Sequence, residues 1–270
     1  MLRKKIEMLL CISAVCSVSF VAADTGRLNT VYAESLNSNT PAVSEQNTED
    51  SGEEAVAINN AKLKTKLAEA ANKGSGYTGD LTTSDLASIT GDIDLSDLDI
   101  KDEDMPIMKY LTGVSGINLS NNTAITSKGF NKKYFDWTVP KKLDFSGCTG
   151  IYYNYFSTSR SAFLGCATLE SISLPDNIGI IPTGIFENCT GLTSITIPKG
   201  VTDIKSNAFN GCTGIKEVNL DDGLLNVWDE VFKDCTSLKY IKTPSSVAGF
   251  GMNCFSGDIN LVVDTRGTNF

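Results

Sequence analysis

The sequence predicts an α/β-type solenoid, with short parallel β-strands on one side, an irregular convex side and an N-terminal helical cap. Two recurrences carry this prediction. Phenylalanine returns every 23 residues, and cysteine returns with the same period three residues later, until Asp258 takes its slot. The positions are Phe163, Phe186, Phe209, Phe232 and Phe255, and Cys166, Cys189, Cys212 and Cys235. A fixed period of this length indicates stacked repeats, because no single unit can bury its own apolar side.

Each repeat contains one stretch that alternates between apolar and polar side chains, as a half-buried strand does. The unit reads A-F-x-G-C-T-x-L-x-x-I-x-I-P-x-x-V-x-x-I. Proline follows the strand in three of four repeats and ends it, because proline cannot donate to a continuing ladder. The central strand residues are Ile172, Ile195, Val218 and Ile241. A second apolar column predicts the return along the opposite wall, and its members are Ile181, Ile204, Val227 and Phe250.

The period continues upstream in a weaker form. Val114–Asn122 has the pattern L-x-x-L-x-L-x-x-N, and Pro140–Cys148 repeats it with proline in the first slot. Further strands are therefore predicted around Ile93, Ile117 and Leu143, and the final one at residues 261–263. Cys148 allows two interpretations, as the end of a strand or as the cysteine of an F-x-G-C unit.

Residues 143–264 resemble the 23-residue leucine-rich repeats of bacterial surface antigens of the BspA type, and residues 81–145 resemble the more general bacterial leucine-rich type. The resemblance implies extracellular adhesion or protein binding and no defined reaction. Three departures stand out: Asp221-Asp222 at the end of the Ile-Pro element, Thr243 in an apolar column, and Asp258 in the cysteine column. The last two suggest that the array is ending.

The domain organisation predicted from the chain has four parts. Residues 1–33 have the basic start, apolar run and small residues of a secretory signal peptide, with cleavage after Ala23 or Ala33; a retained anchor is the alternative. Residues 34–56 are polar and are expected to be a flexible leader. Residues 57–92 contain two short helical patterns and are expected to cap the solenoid, which occupies residues 93–270. An extracellular location, secreted or on the cell surface, follows.

Composition excludes several functions. The net charge of −9 argues against a nucleic-acid partner. The chain has no histidine, which removes the usual general base and the commonest metal ligand. We therefore predict a binding protein that is not an enzyme and needs no cofactor, and we expect no membrane span after signal cleavage.

Two clusters in the sequence bear on metal or redox chemistry. The cysteine ladder is interpreted as packed core thiols, with one or two disulfides and a metal site as alternatives. Asp92, Asp94, Ser96 and Glu103 follow the spacing of a calcium-binding loop. Asp97, however, stands where that loop needs glycine, so a solvated acidic edge is preferred.

Candidate binding residues lie on the outward face of the predicted strands, which solenoids present as a concave surface. A protein on a host or neighbouring cell is the expected partner. These residues are Lys142, Asp144, Ser171, Ser173, Ser194, Thr196, Glu217, Asn219, Tyr240 and Lys242.

Two insertions relative to the 23-residue unit are rich in aromatic side chains, and exposed aromatic clusters often mark binding surfaces. Tyr134, Trp137, Tyr153 and Tyr155 could form a platform for a carbohydrate or the cell wall. The alternative is that these side chains fill the junction between two repeat types.

Overall fold

The computed structural model describes residues 54–135, 140–153, 162–258 and 260–265. The predicted signal peptide and most of the predicted leader lie outside this range, as do Trp137 and Tyr155. None of the helices in the described residues is long and apolar enough to cross a membrane.

Short strands recur along the described part of the chain, separated by turns. In chain order they are β1 (Ala55–Val56), β2 (Leu81–Thr82), β3 (Gly91–Asp94), β4 (Val114–Asn118), β5 (Lys142–Asp144), β6 (Ser171–Ser173), β7 (Ile180–Ile181), β8 (Ser194–Thr196), β9 (Asp203–Ile204), β10 (Glu217–Asn219), β11 (Asn226–Val227), β12 (Tyr240–Lys242) and β13 (Val262–Asp264).

One wall of the solenoid is built from parallel strands, as predicted. β3, β4, β5 and β6 form one sheet in that order, and β8 pairs with β10 and β12 with β13. The buried central residues lie directly opposite one another, so that Ile93, Ile117, Leu143 and Ile172 form one row. The predicted strand positions are thereby confirmed.

The opposite wall also contains short strands, β7, β9 and β11, which pair in parallel. Ile181, Ile204 and Val227 are in register on this wall. The regularity arises because equal repeats place each main-chain amide beside a carbonyl of the preceding repeat; Trp228 N–H donates to the Ile204 carbonyl at 3.0 Å.

The phenylalanine column forms a continuous stack inside the coil. Neighbouring rings from Phe163 to Phe255 have centroids between 5.4 and 5.9 Å apart and planes within 14° of parallel. Phe130 meets Phe163 edge-on at 5.0 Å, which joins the weaker upstream repeats to the regular ones. The four rings from Phe163 to Phe232 are fully buried, so the stack is a large apolar contribution to stability.

The residue before each cysteine adopts a left-handed backbone conformation. Its φ is +70° at Gly165, +60° at Asn188, +72° at Gly211 and +59° at Asp234. Glycine, asparagine and aspartate tolerate this region best, and along the array glycine alternates with the other two. A Cβ atom at Gly211 would overlap Oδ1 of Asn188, so the side chain of one repeat occupies the space left by the next.

The segment predicted as an N-terminal cap contains both expected helices, α1 (Ala61–Ala70) and α2 (Thr83–Ala87). Asn60 caps α1 by accepting from the Leu63 amide at 3.1 Å. A reciprocal capping box between Thr82 and Asp85 starts α2. Two 3₁₀ helices follow at Met105–Tyr110 and Lys132–Tyr134.

The two interpretations of Cys148 are separated by strand register. Leu143 lies opposite Ile117, which places Cys148 in the slot of Asn122 at the end of the strand. Asn122 is fully buried and accepts from the amides of Leu98 and Ile100 at 3.1 and 2.9 Å. Cys148 has only a thiol hydrogen to offer, and it donates this to the Leu119 carbonyl at 3.1 Å.

Candidate binding surface on the strand face

The strand register brings the sequence-predicted binding residues together in two outward rows. Lys142 lies opposite Ser171, and Asp144 lies opposite Ser173. Farther along, Ser194 lies opposite Glu217 and Thr196 opposite Asn219. Tyr240 and Lys242 continue the rows on β12. All ten side chains are exposed or half-buried.

The middle of this strand face is lined by short side chains. A cavity of about 750 Å³ lies over Ser171, Ser173, Ser194 and Thr196 and reaches the loop residue Asp176. A second cavity of about 350 Å³ lies over the strands β3 to β6, and the two share Ser171 and Ser173. The face is therefore a trough with a hydroxyl-lined floor.

The N-terminal end of the trough carries a cross-strand ion pair. Lys142 Nζ lies 3.1 Å from Asp92 Oδ2, although β4 separates their strands. Gly116 stands between the two residues in the row, and a Cβ atom there would come within 2.9 Å of Asp92 Oδ1. The glycine thus lets the lysine reach across one strand. Both partners are more than half exposed, so the pair contributes little to stability.

Polar residues of the second row also serve the turns that follow the strands. Asp94, Asn118 and Asp144 each accept a hydrogen bond from the amide two residues later, at 3.1, 2.9 and 2.8 Å. Hydrogen bonds from Ser96, its side chain first and then its amide, lower the pKa of Asp94. Asp144 is half-buried. Because its Oδ1 already accepts the Ser146 amide, its carboxylate is only partly available to a binding partner.

The C-terminal end of the trough is more apolar. Tyr240 is 49% exposed and lies opposite Val262, which is 60% exposed. The Tyr240 hydroxyl is 2.8 Å from Asp264 Oδ2, so the ring is held along the last strand.

The proposed aromatic platform on the insertions requires correction. Tyr153 is buried and its ring lies 6.4 Å from that of Phe130, so it fills the junction between the two repeat types. Tyr134 is half-buried and has the Lys133 ammonium 4.6 Å from its ring centroid. Trp137 and Tyr155 lie outside the described residues. Tyr153 therefore cannot belong to an exposed platform.

The cysteine ladder consists of buried, unbridged thiols in the described residues. Cys189, Cys212 and Cys235 each donate to the carbonyl of the phenylalanine 26 residues earlier, at 3.0, 3.0 and 3.2 Å. Burial raises the pKa of the Cys212 thiol to about 12 and that of Cys148 to about 11. Such thiols are poor nucleophiles and poor metal ligands.

The acidic residues that resemble a calcium loop are each engaged separately. Asp92 pairs with Lys142, Asp94 accepts from Asn118 Nδ2 at 3.0 Å, and Glu103 pairs with Lys101 at 3.7 Å. Within the described ranges, no cluster of three or more acidic or cysteine side chains is arranged to hold a metal ion.

Sequence reasoning missed a polar cluster on the opposite wall. Asp203 is fully buried, and its Oδ1 accepts from Lys205 Nζ at 3.2 Å, Asn226 Nδ2 at 3.2 Å and Trp228 Nε1 at 3.1 Å. Trp228 is 44% exposed. The sequence does contain a sign of this cluster, because Asp203 occupies the position that holds the apolar residue Ile180 in the preceding repeat.

Several solved structures are similar to this chain. A leucine-rich repeat protein of T. pallidum is 25% identical, with 55% of this chain and 63% of that chain covered and a TM-score of 0.43. A leucine rich cell surface protein of Faecalibacterium prausnitzii is 24% identical, with 47% and 28% covered and a TM-score of 0.33. A leucine-rich repeat protein of Bacteroides ovatus is 22% identical, with 58% and 38% covered and a TM-score of 0.35. The chain thus spans less than two thirds of the length of each.

No curated protein sequence matches the chain. Six copies of the BspA type leucine rich repeat region match residues 157–263. This stretch contains the regular phenylalanine and cysteine columns and begins after the Leu143 strand. Solenoids of this kind are scaffolds that present a binding surface. Residues 157–263 are therefore a BspA-type leucine-rich-repeat region.

Proposed function

We propose that this chain is an exported adhesion or recognition protein that binds a protein partner through its strand face. Leucine-rich-repeat proteins usually mediate protein interactions or surface adhesion, which supports the general class. The observation that carries the proposal is the trough, in which short hydroxyl side chains on β6 and β8 lie between longer charged and aromatic ones.

The dimensions of the trough favour a macromolecular partner. Eight strands spaced about 4.8 Å apart give a face about 34 Å long, which is comparable with one side of an ordinary protein interface. Its hydroxyl groups can donate and accept hydrogen bonds. Lys142 and Lys242 are positive and Glu217 is negative, so both signs of charge border the floor.

Tyr240 is the strongest candidate for an energetic centre of this interface. Exposed tyrosines contribute disproportionately to protein binding because they add large area at little entropic cost. The ring is oriented by Asp264 and adjoins exposed Val262, so little ordering would accompany binding.

Export is supported by the sequence of residues 1–33 and is directly testable. We expect mass spectrometry of protein from the culture medium to show a chain that begins after Ala23 or Ala33. Recovery of the uncleaved chain in the membrane fraction alone would contradict this part of the proposal.

The binding test compares two multiple variants of the full chain against whole host cells and immobilised extracellular-matrix proteins. Glu217→Ala, Asn219→Ala, Tyr240→Ala and Lys242→Ala are combined in the test variant. The control combines Tyr152→Ala, Thr190→Ala and Thr213→Ala, which are exposed positions away from the strands. Loss of binding in the first variant alone supports the strand face. Binding that survives in the first variant places the site elsewhere.

A further inference from the structure

On the wall opposite the trough, the outward side chains end abruptly between two successive repeats, and we call this boundary the step. In one column Asp203 is followed by Asn226, and in the adjacent outward column Lys205 is followed by Trp228. The next repeat has Gly249 and Gly251 in these positions. This follows from the register, because Phe250 lies opposite Val227 in a parallel β-bridge and the Gly251 amide donates to the Val227 carbonyl at 2.8 Å. Neither glycine has a side chain with which to cover its neighbour. Asn226 and Trp228 are therefore exposed, whereas Asp203 is fully buried.

Lys205 lies against one face of the indole, with its Nζ 4.1 Å from the centroid of the Trp228 ring. In the next repeat, Gly251 packs against the Trp228 main chain, whereas a Cβ atom added at Gly249 would have no atom within 4 Å. We call the open space at Gly249, next to Asn226, the shelf. The indole beside it is 44% exposed.

Asp203 fixes the three side chains around this shelf at the same time. Its Oδ1 accepts from Lys205, Asn226 and Trp228, and its Oδ2 accepts from Thr202 Oγ1 at 2.9 Å. A buried carboxylate is costly unless it is fully hydrogen-bonded. Two of its partners here, Asn226 and Trp228, are exposed, and Lys205 and Thr202 are half-buried. Because Asn226 directs its amide hydrogens inward to Asp203, its carbonyl oxygen is turned away from that carboxylate.

From this arrangement we propose that Trp228 and Asn226, held by Asp203 and with Lys205 behind the indole, form a binding subsite for one pyranose ring of a neutral glycan. A pyranose has one face of C–H groups, which stacks on the electron-rich face of an aromatic ring. Its edge carries hydroxyl groups, which need acceptors and donors beside the platform. The indole supplies the first, and the Asn226 carbonyl supplies an acceptor for the second.

The small apolar area and the balanced charge at the shelf favour a sugar ligand over a protein surface. The apolar area is essentially one indole, with Leu225 and Met252 exposed nearby, whereas a specific protein interface needs roughly 800 Å² on each side. Positive Lys205 and negative Asp203 offset each other, so an uncharged ligand is favoured. The site is separate from the trough, and its existence does not depend on the protein partner proposed above.

The test measures binding of four soluble sugars to the purified full chain by saturation-transfer difference NMR. The probes are cellohexaose, laminarihexaose, mannohexaose and N-acetylchitohexaose. Binding to a single platform is weak, and we expect a Kd of about 1 mM for at least one of them. In a Trp137→Phe background Trp228 is the one remaining tryptophan of the two in the sequence, so its fluorescence should shift with the same Kd.

Two variants probe the shelf in different ways. Trp228→Ala removes the platform, and Gly249→Tyr fills the shelf while every residue of the site stays in place. Each should weaken binding by about tenfold or more. Tyr152→Ala, an exposed aromatic elsewhere, and Tyr240→Ala in the trough should leave sugar binding within about twofold.

The proposal is overturned if none of the four sugars binds, or if binding persists in either shelf variant. Capture of a host protein that depends on Trp228, without sugar binding, would likewise replace it with a protein site. The trough is judged separately, by the strand-face variant in the cell and matrix assay.

Discussion

The thiol of Cys212 donates a hydrogen bond to the main-chain carbonyl of Phe186, with 3.0 Å between sulfur and oxygen. The residues come from successive repeats, so the contact joins one coil to the next. It recurs between Cys189 and Phe163 and between Cys235 and Phe209. The cysteines are therefore structural donors as well as small apolar side chains.

Replacement of Cys212 by alanine should destabilise the fold by about 1–2 kcal/mol, because it removes one of the two hydrogen bonds to the Phe186 carbonyl, which keeps that of the Cys189 amide, and opens a small cavity. Urea unfolding followed by circular dichroism measures this. Thr213→Ala, at the exposed neighbouring position, is the matched control and should change stability by less than about 0.5 kcal/mol. Equal effects of the two changes would contradict a structural role for the thiol.

The ladder thiols should react slowly in the folded protein. Burial raises the pKa of Cys148 to about 11 and of Cys212 and Cys254 to about 12, so very little thiolate exists at pH 8. Titration with a thiol reagent at pH 8 should be slow without denaturant and fast in urea, with all thiols recovered. A non-reducing gel or mass spectrum that shows internal disulfides would refute this.

Two glycines with the same backbone conformation should differ in their tolerance of a side chain. Both Gly165 and Gly211 have a φ near +70°. Gly165→Ala meets open space and should cost only the conformational strain, about 1 kcal/mol. Gly211→Ala must also displace the Asn188 side chain and should cost more. The extra cost of Gly211→Ala over Gly165→Ala should largely vanish when Gly211→Ala is made in an Asn188→Gly protein and compared with that protein. Urea unfolding of the four variants measures this.

Asp258 should make the stability depend on pH. Burial, and next the Asp234 carboxylate, raise its pKa to about 7, and the Cys235 amide only partly offsets this. Since the ordinary value is 3.8, the folded state retains a proton that the unfolded state has lost. Stability should therefore fall as pH rises from about 4 to about 7.

Asp258→Asn removes this ionisation and is the test of that dependence. The variant should match the original protein near pH 4 and exceed it in melting temperature near pH 8. A parallel pH profile in both proteins would show that Asp258 is not responsible.

The fold was predictable because a single period fixed the columns, and the columns fixed the strand register. Once Ile172, Ile195, Val218 and Ile241 are assigned to one row, the outward residues between them follow by alternation. Tyr153 was harder, because an aromatic residue in an insertion is equally consistent with exposure and with filling a junction. Packing against Phe130 decides between the two. Contacts between unlike repeats do not recur at a fixed spacing, so the sequence does not reveal them.

The cluster at Asp203 shows a different limit. Lys205 and Trp228 are 23 residues apart, as are Asp203 and Asn226, so the period alone places each pair side by side. What the sequence does not supply is the direction of the indole, which depends on its hydrogen bond to the buried carboxylate.

The alternation of glycine with asparagine or aspartate before each cysteine restricts how such an array can change its length during evolution. Asn188 needs glycine in the next coil, and Asp234 needs Gly257. Loss of one repeat would bring two branched residues, or two glycines, into adjacent coils, whereas loss or duplication of two repeats would preserve the sequence of fillers and gaps. A change of length by two repeats therefore disturbs this packing less than a change by one.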